Sequence, residues 1–359
     1  MNELTIGLLG ALLATNQPQA VSNVIQQQTG VAVDIAVSPA EKELREVMLA
    51  DDAAQDDVNG WLRDYDAQSD TNKTAAASAA LNGRIRARFD KVRAAYENFL
   101  QRHPDSAHGF LAYGSFLNDT GDEEGAHLQY ENSKQLDPKN PAVWNNLANY
   151  YGEHSPVTKA FEYYAQAIRL KPDEPVYYQN FATTVYLFRK DAKEYYHLDE
   201  PQVFDKALGL YQQAMRLAPD NFVLATDYAE SYYGIRPLRT NDALVAWTNA
   251  MTVAHTDAER QGVELHLARV KIAAGFFGEA SNHLAAVTNA AFLGMKKQLY
   301  RSLADHEHPD TNSEAAVEDK MLKTIPQLAP SSGAGVTNVS GLSSNLLAVP
   351  PPVREPKPQ

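Results

Sequence analysis

Residues 141–172 read PAVWNNLANYYGEHSPVTKAFEYYAQAIRLKP. Trp144, Leu147, Ala148 and Tyr151 follow one another at intervals of three and four, so they lie on one face of a helix. Ala160, Tyr164 and Ala167 do the same on a second helix, and Pro172 closes it. Asn140-Pro141 is a start signal, because Asn caps free amides and Pro fits the first turn, where no donor is needed. Two helices this short cannot bury their apolar faces alone, so the pair needs neighbours.

The neighbours are in the sequence. Pro104, Pro138 and Pro172 stand 34 residues apart, as do Gly114, Ala148 and Ala182, and Ala126 and Ala160. A fixed interval of that length means one helix pair copied in tandem. The preceding copy carries Phe110, Tyr113, Gly114, Leu117, Gly121, Ala126, Tyr130 and Pro138, with Gly121 placed for a left-handed helix end. The following copy opens with Tyr178, Phe181, Ala182 and Val185, but its second half (Ala207, Tyr211, Ala214, Pro219) comes 13 residues late. A fourth copy has Tyr228, Ala229, Tyr232, Ala243, Trp247 and Ala250, and a degenerate fifth has Leu267, Ala268, Gly275, Ala280, Leu284 and Val287. Upstream, Val92, Tyr96, Phe99 and Pro104 read as the second half of a further copy.

This pattern resembles the tetratricopeptide repeat, of the type found in bacteria, over about residues 88–294. The resemblance implies an all-α, right-handed α-α superhelical solenoid with helical caps. The expected organisation is an apolar N-terminal segment (1–37), an N-terminal helical cap (38–104), the repeat array (105–294) with an insert at about 187–203, C-terminal capping helices (295–328) and a disordered tail (329–359). It also implies that first helices line a concave groove for an extended peptide. The groove slots are then Ala112, Asn146, Asn180, Asp227 and His266, with Asn145, Asn149, Gln179 and Thr183 beside them. Carboxamides both donate and accept, which suits a peptide main chain. Leu111, Asn145 and Gln179 stand where a basic residue would clamp a terminal carboxylate, so a neutral or basic segment is expected instead. The alternative is that these asparagines only solvate a vacant face. The insert brings Arg189, Lys190, Lys193, Tyr195 and Tyr196, read as a basic, aromatic edge of the groove or as a helix extension that simply packs. Doublets such as Tyr150-Tyr151, Tyr163-Tyr164, Tyr177-Tyr178 and Tyr232-Tyr233 place a second ring off the packing face.

The 44% hydrophobic content supplies a core, and the net charge of −13 argues against general binding to nucleic acid or anionic membranes. No cysteine is present, which removes disulfides, thiolate metal sites and cysteine nucleophiles. Leu4 to Ala14 is an apolar run too short for a bilayer. Its flank has Glu3 and no Lys or Arg, which favours a docking helix and a cytoplasmic protein over an export signal. Ser38-Pro39-Ala40-Glu41 opens a helix with many Asp, residues 67–76 form a loop, and Arg84, Arg86, Arg88, Lys91 and Arg93 make the next helix basic. That basic run is either a solvated helix facing its acidic neighbour or a patch for an acidic partner. Ala290 to Leu303 reads as a closing helix, Asn312-Ser313 caps another, and Pro350-Pro351-Pro352 ends a Ser/Gly/Pro-rich stretch. No phosphate loop, nucleophile elbow or cofactor motif is found, and His306-Glu307-His308 has poor spacing for a metal. His103, His108, His127, His154 and His283 read as surface or groove positions without partners. The reading is a non-catalytic scaffold for a protein or peptide partner, with no cofactor and no transmembrane helix. The alternative is an exported periplasmic accessory subunit of an envelope or glycan assembly machine.

Overall fold

Short polar caps divide the chain into helices. Ser38 accepts from the Glu41 amide at 3.1 Å and starts α1 (Pro39–Asp66), and Thr74 accepts from Ala77 at 3.1 Å and starts α2 (Ala75–Arg102). Ser106 and Asp122 start α3 (Ala107–Asp119) and α4 (Glu123–Leu136) in the same way. Asn140 with Pro141 starts α5 (Pro141–Glu153), followed by α6 (Thr158–Leu170) and α7 (Pro175–Leu187). Then come α8 (Arg189–Tyr196), α9 (Glu200–Leu217), α10 (Phe222–Ser231), a 3-10 turn (Tyr232–Gly234), α11 (Thr240–Thr252), α12 (Asp257–Ala273), α13 (Phe277–Ala286), a second 3-10 turn (Ala290–Phe292) and α14 (Leu293–Glu307). Reciprocal capping boxes, Asp199 with Gln202 and Thr256 with Glu259, start α9 and α12.

This computed structural model describes residues 38–68 and 74–307. Among the described residues there is no strand, and no helix is long and apolar enough to cross a membrane. The architecture is an all-α helical-repeat solenoid of tetratricopeptide-like pairs. Two compact units divide between Thr184 and Val185.

In the first unit each helix from α1 to α5 packs on the next. Its core joins Leu44 and Val47 of α1 to Val92, Tyr96 and Phe99 of α2, and on to Leu111, Phe116, Tyr130 and Leu147. In the second unit one core gathers around Trp247, with Phe204, Ala229, Tyr232 and Val263, and another joins Leu265, Leu284, Phe292, Tyr300 and Leu303. The turn within a pair is closed by a left-handed glycine, Gly121 at φ 84° and Gly275 at φ 80°. Each lets the following amide reach five residues back, Asp122 to Leu117 and Phe276 to Lys271, both at 2.8 Å.

One tie recurs at the 34-residue interval. Trp144 Nε1 donates to the Pro138 carbonyl at 2.8 Å, and Tyr178 Oη donates to the Pro172 carbonyl at 3.0 Å. The aromatic six residues after the closing proline thus fastens back onto the end of the pair before it.

Several sequence expectations change. Each second ring of the four doublets has an internal contact. Tyr177 is itself in the core at 3% exposure, and Tyr163 packs edge-on to Trp144 and Tyr151. Tyr150 stacks between His127 and His154 at 4.1 and 4.2 Å, and Tyr233 stacks on His266. The insert is a separate eight-residue helix, α8, ending at His197 in a left-handed conformation. The loop after α1 is shorter than expected, since the helices reach Asp66 and resume at Ala75. The five histidines read as partnerless are partnered. His103 meets Glu43 at 2.9 Å, His108 meets Glu41 at 3.0 Å, His154 meets Glu123 at 3.2 Å, His283 meets Glu264 at 2.5 Å, and His127 stacks as described. Each carboxylate lies 19 or more residues away, so adjacent sequence carries no sign of it. The apolar run at 4–14, the Asn312-Ser313 cap, the His306–His308 pair of side chains and the proline triplet lie outside the described residues and side chains.

Candidate functional site

The asparagines of α5 and α7 lie in the first unit and hold one another. Asn180 Nδ2 donates to Asn145 Oδ1 at 3.1 Å, and Asn145 Nδ2 donates to Asn146 Oδ1 at 3.4 Å. The result is a carboxamide ladder linking the first helices of successive pairs. Asn145 is fully buried and Asn146 is 6% exposed, so neither presents an open amide. This corrects their placement on the groove wall. A fully buried carboxamide is tolerated because its partners are carboxamides too, each supplying what the other lacks.

A second polar layer lies beside the ladder. Burial pushes the Tyr130 hydroxyl's pKa up, and Ser115 and Asn146 meet that hydroxyl. In the next pair Tyr164 Oη donates to Asn149 Oδ1 at 2.7 Å and accepts from Thr184 Oγ1 at 3.2 Å. Ser115 and Asn149 are one repeat apart, as are Tyr130 and Tyr164. A residue of the first helix therefore satisfies the phenol of its own second helix. What remains half-exposed is Asn149, Gln179, Asn180 and Thr183, with the Thr183 hydroxyl donating to the Gln179 carbonyl at 3.0 Å.

In the second unit, the slots expected at Asp227 and His266 differ from each other. His266 is 5% exposed, lies flat on Trp247 at 4.1 Å, and has Nδ1 2.9 Å from Tyr233 Oη. Burial lowers its pKa to about 3, so it is a neutral core residue. Asp227 is half-buried beside Glu230, one turn on. Burial, with the Asp227 charge next in size, raises the Glu230 pKa to about 7. The Arg269 guanidinium lies 4.2 Å over the Tyr233 ring, within reach of the Glu230 field. Sequence reasoning passed over Glu230 as a site, although its spacing from Asp227 put both on one helix face.

The insert helix α8 carries Arg189, Lys190 and Lys193, but Asp191 and Glu194 alternate with them, and Arg189 pairs with Glu200 at 3.4 Å. Tyr195 and Tyr196 meet edge-on at 4.8 Å, with Lys206 4.1 Å from the Tyr196 ring. The basic helix α2 is partly neutralised by its neighbours. Arg88 bonds Asp57 at 2.8 Å, Arg93 bonds Asp122 at 3.1 Å, and Arg84 lies 3.7 Å over Trp61.

No protein-family model matches the chain, and no curated protein matches it. Solved structures do. PilF of Pseudomonas aeruginosa is similar at 15% identity, over 77% of this chain and 99% of that one, with a TM-score of 0.43. YrrB, described as a TPR protein with an unusual peptide-binding site, is similar at 12% identity over 63% and 98%, TM-score 0.42. TTC0263, a TPR protein of Thermus thermophilus, is similar at 18% identity over 55% and 99%, TM-score 0.41.

Proposed function

We propose that the chain is a non-catalytic scaffold that binds an extended peptide or protein segment on the first-helix face of its repeats. The observation that carries this reading is the carboxamide ladder through Asn145, Asn146 and Asn180. Asn145 fixes the rotamer of Asn180, Tyr164 that of Asn149 and the Gln179 carbonyl that of Thr183, so these three meet a ligand already ordered. Side chains ordered in advance lose less entropy on binding. A carboxamide row matches the alternating donors and acceptors of a main chain. The net charge of −13 steers basic segments toward it and repels acidic ones.

Photocrosslinking tests this. A photoreactive residue at Gln179 or Asn180 is expected to capture one protein segment, and the same residue at Glu162, exposed on the second helix α6, is not. Asn180→Ala should then weaken binding of the captured segment about tenfold, roughly 1.4 kcal/mol. Equal capture from Glu162, or unchanged affinity in the variant, would remove the proposal.

A further inference from the structure

The two longest helices do more than cap the array. α1 and α2 have 28 residues each, about 42 Å of helix. Their proximal parts carry the core through Leu44, Val47, Val92, Tyr96 and Phe99. Beyond that the burial stops. No side chain of α1 after Val58 is buried, and none of α2 before Val92. Yet this distal part carries Trp61, Leu62, Tyr65, Leu81 and Ile85, with Leu62 41% exposed. Trp61, Asp64, Tyr65, Leu81 and Arg84 are among the residues that line a depression of about 360 Å³. A hairpin of two helices has no third layer to cover such a face.

Charge identifies what covers it. From Asp51 onward α1 carries Asp51, Asp52, Asp56, Asp57, Asp64 and Asp66 against Arg63 alone. From Ala75 to Arg93 α2 carries Arg84, Arg86, Arg88, Lys91 and Arg93 against Asp90 alone. Arg88 and Asp57 neutralise each other within the hairpin. Asp56, Asp64, Arg86 and Lys91 are exposed and make no ion pair among the described residues. A surface with one acidic arm and one basic arm, side by side, is self-complementary. A two-fold axis lays the acidic arm of one copy on the basic arm of the other, twice. We propose that the distal α1–α2 hairpin is seated by a second copy of this chain, its apolar tip closed into a four-helix bundle by reciprocal Asp-to-Arg/Lys contacts.

The test is the mass of the full-length protein in solution, by light scattering or sedimentation. The wild type is expected at twice the 39.6 kDa chain mass at micromolar concentration. Arg86→Glu with Lys91→Glu takes the basic arm from a net +4 to 0 and puts two anions where it was positive, and Asp56→Lys with Asp64→Lys takes the acidic arm from −5 to −1 and puts two cations where it was negative. Each double variant alone should be monomeric, and an equimolar mixture should regain the dimer mass, because only in the mixture do the substituted positions of one copy face unlike charge on the other. Leu62→Asp, at an exposed site, should give a monomer with unchanged helical circular dichroism, and it decides the matter should a double variant misfold. A monomeric wild type overturns the proposal. So does a dimer that survives Leu62→Asp, or two double variants that dimerise as well alone as mixed.

Discussion

At the scale of the residue, small differences between equivalent positions carry the chemistry. Gly114 stands where the next two pairs have Ala148 and Ala182. A Cβ at Gly114 would lie 2.6 Å from the Tyr130 ring, so the ring must move. Gly114→Ala gains about 1 kcal/mol of helix propensity but crowds a buried phenol whose hydroxyl is already held. We expect a net loss of about 1 kcal/mol, read as a lower urea midpoint. Glu230 gives a pH prediction. Its folded pKa of about 7 lies above that of an unfolded carboxyl. Its contribution is therefore full below the unfolded value and lost as pH rises through about 7. Glu230→Gln, which imitates the protonated acid, should be more stable than wild type at pH 8, with the advantage gone by about pH 4. Denaturation midpoints at the two pH values check the sign. His266 acts in the opposite sense. Its depressed pKa makes stability fall as acid protonates the unfolded chain, so the variant must be compared with wild type at each pH.

At the scale of the element, caps set helix ends and ties fasten one pair to the next. Asp199→Ala removes the side chain that accepts from the Gln202 amide at 2.9 Å and should cost about 1 kcal/mol. Tyr178→Phe removes only the bond to the Pro172 carbonyl, and about 1 kcal/mol is expected to go with it. Thermal midpoints measure both. These elements were legible in advance because their signals are local. Asn140-Pro141, Ser38-Pro39 and Gly121 each act within one turn of helix, and the structure has caps and a left-handed residue at those places. The insert was legible as a delay of 13 residues but not as α8, because Phe188 at its start offers no capping side chain and eight residues are little more than two turns.

At the scale of the molecule, a repeat array couples each pair mainly to its neighbours. Damage should then stay near its source. Trp247 is fully buried, and Trp247→Ala is expected to cost about 3–5 kcal/mol. Hydrogen exchange should show α10 to α13 losing protection while α2 to α5 keep theirs. Uniform loss along the chain would mean that the two compact units unfold as one.

The repeat interval, the helix pairs and their caps were set by the amino-acid sequence alone, because a 3.6-residue period and a capping side chain act over a few residues. Which side of α5 its asparagines would meet was decided only by tertiary structure. Neighbouring positions on a helix differ by about 100°, so a small rotation moves Asn145 and Asn146 from an open wall into a ladder. The same holds for the histidines. Whether His103 stands alone or holds Glu43 depends on α1 returning to the end of α2, a contact between residues 60 positions apart. Local rules carry no information about such a contact, and only the packed chain supplies it.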